Sequence, residues 1–293
     1  MKSGYVAITG KPNVGKSTFL NTVLKRKVAI TSPKPQTTRN QIHAVLDYND
    51  TKIQFVDTPG WHAPNFKLDL FLNSQIKNSY KIADVVLLFI DLTRPIDDED
   101  KEIIKLLKEY EVEKVILVLT KSDVSSVSKI TNYETQIKND INVLETVVIS
   151  SKKQSNVDVL LNKIVDILPQ GNKLEQLYDN DNFVISEIIR EQIIFNTKQE
   201  LPYATGVYIE SNNYDHIAKL LTIQAIILVE KESQKPIVIG KGGSMIKKIG
   251  TMARKELLDI FDTKINLKLF VKVQSEWRNN EKVLSEIGYS NKK

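Results

Sequence analysis

The chain has 293 residues, no cysteine and a formal net charge of +5, with a sequence pI of about 9.0. The length favours two domains, and the missing cysteines exclude disulfides, thiolate metal sites and cysteine nucleophiles. The apolar runs are too short to span a bilayer and the first strand-like segment follows Met1 closely, so we expect a cytoplasmic chain without a signal peptide. Any membrane contact should be peripheral, on the inner face of the cell membrane.

Up to Pro169, strand-like and helix-like segments alternate, which is typical of an α/β fold with a doubly wound, mostly parallel sheet. The predicted strands are Tyr5–Thr9, Gln41–Tyr48, Lys52–Asp57, Val85–Asp91, Lys114–Thr120 and Thr146–Ser150. The predicted helices are Lys16–Lys25, Leu68–Ile82, Asp98–Tyr110, Ile130–Asn142 and Asn156–Leu168. The Asn49-Asp50 turn predicts one antiparallel hairpin at the edge of the sheet.

Helical periodicity stops near Gly171, so we divide the chain into a first domain at 1–170, a linker at 171–182, a second domain at 183–280 and a tail at 281–293. The second domain is predicted to contain a helix, two strands, a glycine-broken helix pair and a last strand, at Phe183–Thr197, Thr205–Glu210, Leu221–Lys231, Lys241–Phe261 and Ile265–Val273. Residues 235–278 carry ten Lys or Arg against four Asp or Glu, whereas residues 181–234 carry four against eight. This asymmetry indicates an anion-binding face, although a solvated helix face would explain the charge alone equally well.

A phosphate-binding loop is predicted between the first strand and the first helix. Residues 10–17 read G-K-P-N-V-G-K-S, which fits G-x-x-x-x-G-K-S without a mismatch. The glycines let backbone N–H groups turn toward an anion, and the helix N-terminus adds positive charge. The residues expected to contact the nucleotide here are Gly10, Lys11, Pro12, Asn13, Val14, Gly15, Lys16, Ser17 and Thr18. Lys16 should reach the β- and γ-phosphates, and Ser17 should ligate Mg²⁺.

The segment Asp57-Thr58-Pro59-Gly60 ends the third predicted strand. Its carboxylate could hold Mg²⁺ through water, and the N–H of Gly60 could meet the γ-phosphate. The polar loop at 31–39 is expected to supply a threonine ligand to Mg²⁺, for which we choose Thr38 over Thr37. Lys16, Thr38 and Gly60 are the predicted catalytic groups.

Trp61 follows Gly60, where some GTPases place a water-orienting glutamine. An indole cannot orient water in that way, so we expect slow intrinsic hydrolysis. The alternative is that Trp61 only packs over this segment.

Two further segments point to guanine. Thr120-Lys121-Ser122-Asp123 follows the fifth strand, where a carboxylate can accept two hydrogen bonds from guanine N1 and N2, a pair that adenine does not offer. The usual motif begins with Asn; the hydroxyl of Thr120 can still tie this loop to the phosphate loop, with fewer bonds. Ser150-Ser151-Lys152 follows the sixth strand, where a backbone N–H can meet guanine O6.

The chain resembles the bacterial Era GTPases along nearly its whole length. The resemblance is carried by residues 10–21 (GKPNVGKSTFLN), 35–39 (PQTTR), 57–61 (DTPGW), 229–250 (VEKESQKPIVIGKGGSMIKKIG) and 269–278 (LFVKVQSEWR). It implies a GTPase domain followed by an α+β type II KH domain. It also implies GTP and GDP as ligands, Mg²⁺ as cofactor, K⁺ at Asn13 as an alternative to a purely structural loop asparagine, and a monomer. The further implied partners are the 3′ region of 16S rRNA and the 30S subunit during its assembly.

The RNA-binding loop of that second domain is predicted at Ile239-Gly240-Lys241-Gly242-Gly243, which has the G-x-x-G form. Such a loop clamps the backbone of about four nucleotides of a single strand. Lys241, Lys247 and Lys248 would supply charge for phosphates. The alternative is a structural helix–turn–helix that binds no RNA.

Two other function classes fit parts of the pattern. A metabolic or kinase P-loop enzyme would share residues 10–17, but Asp123 argues against it. A membrane-surface signalling GTPase would use the basic face on lipid instead of RNA.

Overall fold

The computed structural model describes residues 1–25, 39, 41–125, 130–171 and 181–289. The chain forms two compact units, one of residues 1–64 and 72–178 and the other of residues 65–71 and 179–293. Thr37 and Thr38, and most of the linker predicted at 171–182, lie outside the described residues.

The first unit alternates strands and helices as its apolar pattern predicts. Its elements are β1 (Lys2–Gly10), α1 (Lys16–Leu24), β2 (Ile42–Tyr48), β3 (Thr51–Asp57), α2 (Lys67–Ile82, whose first turn belongs to the second unit), β4 (Val85–Asp91), α3 (Asp98–Glu109), β5 (Val115–Thr120), α4 (Ile130–Lys138), β6 (Val143–Val148) and α5 (Val157–Ile167). The strand order is β2-β3-β1-β4-β5-β6, and β2 runs antiparallel to β3 while the other neighbours are parallel. Asn49 and Asp50 both have positive φ in the predicted hairpin turn.

Parallel pairing decides where the polar residues of this unit meet. Every residue of β4 and β5 is buried, because a central parallel sheet is covered on both faces. The carboxyl ends of parallel strands share one edge, so the segments after β1, β3, β4 and β5 converge there. The sixth strand is Val143–Val148 and not Thr146–Ser150, because an edge strand with one partner carries a weak apolar pattern.

The second unit builds a small sheet with helices on one face. Its elements are α6 (Asp181–Asn196), α7 (Leu201–Ala204), β7 (Gly206–Asp215), β8 (Leu220–Val229), α8 (Lys235–Ile239), α9 (Ser244–Phe261), β9 (Lys264–Val273) and α10 (Glu281–Glu286). The sheet order is β7-β8-β9, with β7 antiparallel and β9 parallel to β8. The core lies between the sheet and the helices α6 and α9, where Ile189, Ile193, Ile249 and Leu257 are fully buried.

The structure corrects three boundaries of this unit. Strand β7 continues to Asp215, past a register shift between Ile209 and Ser211, because pairing with β8 outweighs the weak strand propensity of its polar end. The helix pair begins at Lys235 and not at Lys241, since Pro236 is tolerated in a first helical turn. The predicted tail at 281–293 belongs to the second unit, where Glu281–Glu286 form α10 and Tyr289 is buried.

Candidate functional site: a nucleotide pocket and a glycine-rich loop

The loop after β1 has the backbone shape that a phosphate cradle needs. Gly10 and Gly15 have φ values of 141° and 109°, and Asn13 has 63°, all in the region that favours glycine. A Cβ at Gly10 would lie 2.6 Å from the carbonyl oxygen of Phe89, so no larger residue fits there. The loop delivers the chain into α1 at Lys16, and its N–H groups and the helix end can therefore face an anion.

The ammonium of Lys16 is held at the centre of this loop. Its Nζ donates hydrogen bonds to the carbonyl oxygens of Gly10 and Lys11, each at 2.8 Å. Burial lowers the pKa of Lys16 to about 8, although the nearby carboxylate of Asp57 acts in the opposite direction. Lys16 is therefore a buried, largely protonated cation within the loop.

Ser17 and Asp57 together fit a hard divalent cation. The Oγ of Ser17 donates to Oδ2 of Asp57 at 2.9 Å, whereas Oδ1 of Asp57 is buried without a hydrogen-bond partner among the residues that the structure describes. Burial raises the pKa of Asp57 to about 6, while Lys16 and the bond from Ser17 lower it. A hydroxyl beside an unsatisfied carboxylate oxygen suits Mg²⁺, which when bound supplies charge for phosphate chemistry. The third predicted ligand, Thr38, lies outside the described residues.

The residues after β3 lie directly against the phosphate loop. Thr58 donates from Oγ1 to the carbonyl of Ile8 at 2.8 Å, and Pro59 is buried. A Cβ at Gly60 would lie 2.7 Å from the backbone nitrogen of Pro12, so a side chain at position 60 would separate the two segments.

Trp61 and His62 continue this segment. Trp61 is partly buried and packs against the core that lines β4 and β5, which fits the packing interpretation of this residue. His62 was not predicted as a site residue; its Nδ1 lies 3.0 Å from the carbonyl oxygen of Gly60, and Asn73 donates to the His62 carbonyl at 3.0 Å. Both contacts fix the chain just after Gly60.

A cavity of about 340 Å³ opens beside the phosphate loop, within the range of small-molecule sites. Ten residues from three separate segments line it: Val14, Gly15, Thr18, Thr120, Lys121, Asp123, Val124, Ser150, Ser151 and Lys152. All were singled out from the sequence except Val124, whose apolar character gives no sign of a site. The structure thus brings three of the four predicted nucleotide segments to one cavity, while Asp57-Thr58-Pro59-Gly60 does not line it.

Asp123 presents an ionised carboxylate at this cavity. Its Oδ1 accepts from the Oγ of Ser150 at 2.7 Å, and this bond is the main reason that its pKa lies below the ordinary value. The same Ser150 oxygen accepts from the backbone N–H of Lys153 at 3.2 Å. Ser150 therefore joins the loop after β5 to the loop after β6.

Thr120 and Lys121 anchor the loop after β5. The buried Oγ1 of Thr120 lies 2.7 Å from the carbonyl oxygen of Val14 and 3.2 Å from that of Ile90, so this hydroxyl ties the loop to the phosphate loop. Lys121 donates from Nζ to Oδ2 of Asp91 at 2.6 Å. Burial alone would raise the pKa of Asp91, but the hydrogen bonds from Lys121 and Thr93 hold that pKa below the ordinary value. The neighbouring N–H of Ser122 donates to Ile149.

Asp91 is a supporting residue that the sequence did not reveal. Its only signal is its position at the end of a buried strand, on the edge where the site residues meet.

A second anchor connects the phosphate loop to α3. The buried Nζ of Lys11 pairs with Oδ2 of Asp97 and lies 3.4 Å from Glu99 and 3.8 Å from Asp100. Asp97 also caps α3, because its Oδ1 accepts from the backbone N–H groups of the same two residues. The side chain of Lys11 thus points to a helix end and not into the cradle.

The glycine-rich loop of the second unit stands between α8 and α9. Gly240, Gly242 and Gly243 have φ values of 75°, 59° and 78°, and a Cβ at Gly240 would lie 2.6 Å from the backbone nitrogen of Met245. Lys241 and Gly242 are exposed at its tip, as are Lys247 and Lys248 on the first turns of α9, while Ile239 is half-buried. A ligand can therefore approach the backbone of this loop closely at Gly242, beside the three exposed ammonium groups of Lys241, Lys247 and Lys248.

Two absences hold for the described ranges. No group of three or more His, Cys, Asp or Glu side chains there is arranged to hold a metal ion. No helix in the same ranges is long and apolar enough to cross a membrane.

Comparison with known proteins identifies both units. A family described as a 50S ribosome-binding GTPase matches residues 5–121, and a KH domain family matches residues 200–278. The GTPase Era of Ureaplasma urealyticum serovar 10 is 44% identical over 300 residues, covering 100% of this chain and 99% of that protein.

Two solved structures share the whole architecture at 36% identity, each covering 99% of this chain and 100% of the other chain. One is Aquifex aeolicus Era Y63A bound to GDP·AlF4⁻, with a TM-score of 0.92. The other is Era in complex with MgGDPNP and nucleotides 1506–1542 of 16S ribosomal RNA, with a TM-score of 0.91. These matches confirm the predicted fold class, a P-loop GTPase domain followed by a KH domain, and the chain belongs to the Era family of GTPases.

Proposed function

We propose that this GTPase is a switch that binds the 3′ region of 16S rRNA through its KH domain and assists assembly of the 30S subunit. The observation that carries the proposal is the glycine loop at 240–243, which leaves its backbone and Lys241 open to a single strand. The solved Era complex with 16S nucleotides has the same architecture over 99% of this chain. The GTP-bound form favours the RNA contact.

The proposal also assigns a role to each residue of the nucleotide site. Lys16 contacts the β- and γ-phosphates, and the N–H of Gly60 meets the γ-phosphate. Ser17 and Thr38 would ligate Mg²⁺, and Asp57 would hold it through water. Asp123 accepts hydrogen bonds from guanine N1–H and N2–H, and a backbone N–H of the segment Ser150-Ser151-Lys152 donates to O6. This assignment is supported by the shared cavity and by the unsatisfied Oδ1 of Asp57.

Hydrolysis proceeds without a glutamine at position 61. The groups left to stabilise negative charge in the transition state are the Lys16 ammonium, the Gly60 N–H and the bound metal. Trp61 packs against the core and contributes no proton acceptor, so the intrinsic rate is slow.

Three further points extend the proposal. Asn13, which is exposed in the phosphate loop, ligates K⁺ as a second cation. The protein acts as a monomer in the cytoplasm. Any contact with the inner face of the cell membrane is peripheral and uses the basic residues of the second unit.

The test measures binding of an oligonucleotide with the 3′ sequence of 16S rRNA to the full chain, in the presence of GDPNP or GDP. The double variant Lys241→Asp with Gly242→Asp should weaken binding at least tenfold, because it places carboxylates where phosphates approach. Lys255→Asp, an exposed change on α9 away from the loop, is the matched control. Equal binding by the folded double variant and the wild type would overturn the assignment, and capture by anionic vesicles in place of RNA would favour a membrane-surface GTPase.

A further inference from the structure

The outer face of β9 combines cations with an exposed aromatic ring. Side chains alternate along this strand, so that one set packs into the core and the other faces away from α6 and α9. The outward set is exposed throughout and consists of Lys264, Asn266, Lys268, Phe270 and Lys272. We refer to these five residues as the β9 face.

The lysines of the β9 face have no acidic neighbour across the sheet. Lys264, Lys268 and Lys272 stand opposite Leu220, Gln224 and Leu228 of β8. None of the three forms an ion pair within the described part of the chain, although other lysines of this protein do. Their charges are therefore available to an anion.

Phe270 is the feature that a simple solvated strand does not explain. Its side chain is 47% exposed, whereas Ile226, its neighbour across the sheet, is 7% exposed. Lysines on an edge strand protect it from pairing with other chains, but that protection needs no exposed ring between them. Phe270 lies two residues from Lys268 and two from Lys272, so it stands midway between two cations about 13 Å apart along the strand.

We propose that the β9 face is a second binding site for single-stranded nucleic acid, with a base stacked on Phe270 and phosphates paired with Lys268 and Lys272. Base stacking on an aromatic side chain beside a positively charged track is how many proteins hold single strands without sequence preference. Gln224 on β8, opposite Lys268, and Asn266 and Thr222 further along the same face add polar groups that can bond the edges of neighbouring bases. A lipid surface is a poorer match, because one ring among polar side chains offers little apolar area to insert.

This site is separate from the glycine loop. Helix α9, which follows that loop, packs its buried residues Ile249 and Leu257 on the opposite face of the sheet. The helix that carries the loop therefore lies on the other side of the sheet from Phe270, and we expect the two sites to contribute separately to affinity.

The test titrates the full chain with a fluorescein-labelled oligouridylate. Phe270→Ala should weaken binding about tenfold, and Phe270→Trp should retain it, because the indole also stacks. Phe195→Ala is the matched control, since Phe195 is 49% exposed on α6 of the same unit. Affinity falls as salt rises, and the pair Lys268→Gln and Lys272→Gln should make this negative slope of log affinity against log salt shallower by about 1.4. Lys255→Gln should leave the slope unchanged. Circular dichroism melts establish that each variant is folded.

Equal binding by the Phe270→Ala and Phe195→Ala variants would overturn the β9 site. The β9 site would be overturned as well if Phe270→Ala lost binding to anionic vesicles but kept its binding to the oligouridylate. The aspartate pair at positions 241 and 242 separates the two proposals: if it abolishes binding while Phe270→Ala does nothing, only the glycine loop binds RNA. If the aspartate pair has no effect and Phe270→Ala removes binding, the β9 site stands and the loop assignment fails.

Discussion

Replacing Thr120 with valine should lower both the stability of the first unit and its affinity for nucleotide. The side chain is 2% exposed, and valine keeps its shape while removing the hydroxyl that lies 2.7 Å from the Val14 carbonyl and 3.2 Å from that of Ile90. Leaving a buried acceptor without its donor costs about 1–3 kcal/mol. For a unit of this size each kcal/mol lowers the melting temperature by about 2–4 °C.

The same change should raise the Kd for GDP. Val14 and Thr120 line one cavity, and the hydroxyl bond fixes the distance between the two loops that they belong to. If half of the lost free energy acts on the bound form, affinity falls by about two- to twelvefold. Thr120→Ser, which keeps the hydroxyl and loses only a methyl group, is the control and should bind GDP like the wild type.

The assay is a titration with a fluorescent GDP analogue, run beside a thermal melt of each variant. The reasoning is refuted if Thr120→Val melts with the wild type and binds GDP within twofold of it. Weak binding by Thr120→Ser equal to that of the valine variant would also refute it, because serine keeps the hydroxyl and the loss of its bond to the Val14 carbonyl could not then be the cause.

Three other predictions concern the same site. The pKa of Asp57 is raised to about 6, and a protonated carboxyl loses the charge that holds a hydrated cation. The gain in nucleotide affinity on adding Mg²⁺ should therefore be constant above about pH 6 and shrink as the pH falls below it, by up to tenfold per unit. A gain that stays flat from pH 5 to 8 would contradict this. Lys11→Met should weaken GDP binding several-fold, because it removes the buried cation that pairs with the acidic N-terminus of α3. Lys101→Met, which removes an exposed ion pair with Asp98 on the same helix, should leave GDP binding unchanged. Equal Kd values for GDP in the two variants would count against the anchor. Asp123→Asn should exchange guanine for xanthine selectivity, as measured by competition between GTP and XTP, and a variant that still prefers GTP would remove Asp123 from base recognition.

The segments of the nucleotide site could be located from sequence because each carries a local rule. Glycines at positions 10 and 15 flank a strand–helix junction, and parallel strands bring the residues that follow them to one edge of the sheet. Local patterns of this kind need no knowledge of distant contacts, so their convergence at one cavity follows from topology.

The supporting contacts could not be found in this way. Lys11 pairs with Asp97 across 86 residues, and Lys121 pairs with Asp91 across 30, and no periodicity or spacing connects such partners. The polar end of β7 was missed for a related reason: its residues have low strand propensity, and only the ladder with β8 makes them a strand. Tertiary pairing decided each of these cases.

The burial of Trp277 and Tyr289 has a consequence for the order in which the second unit can fold during synthesis. The Trp277 ring would lie 3.1 Å from a Cβ at Gly206, its Nε1 donates to Ala204, and the rings of Tyr289 and Phe71 are 5.9 Å apart. Lys67, which pairs with Glu281, is translated 214 residues before its partner. Since a domain folds only when its own elements have left the ribosome, residues 65–71 must wait through most of translation for the packing that fixes them. The first unit has its complete sheet long before then, so the two units mature at different times on the same nascent chain.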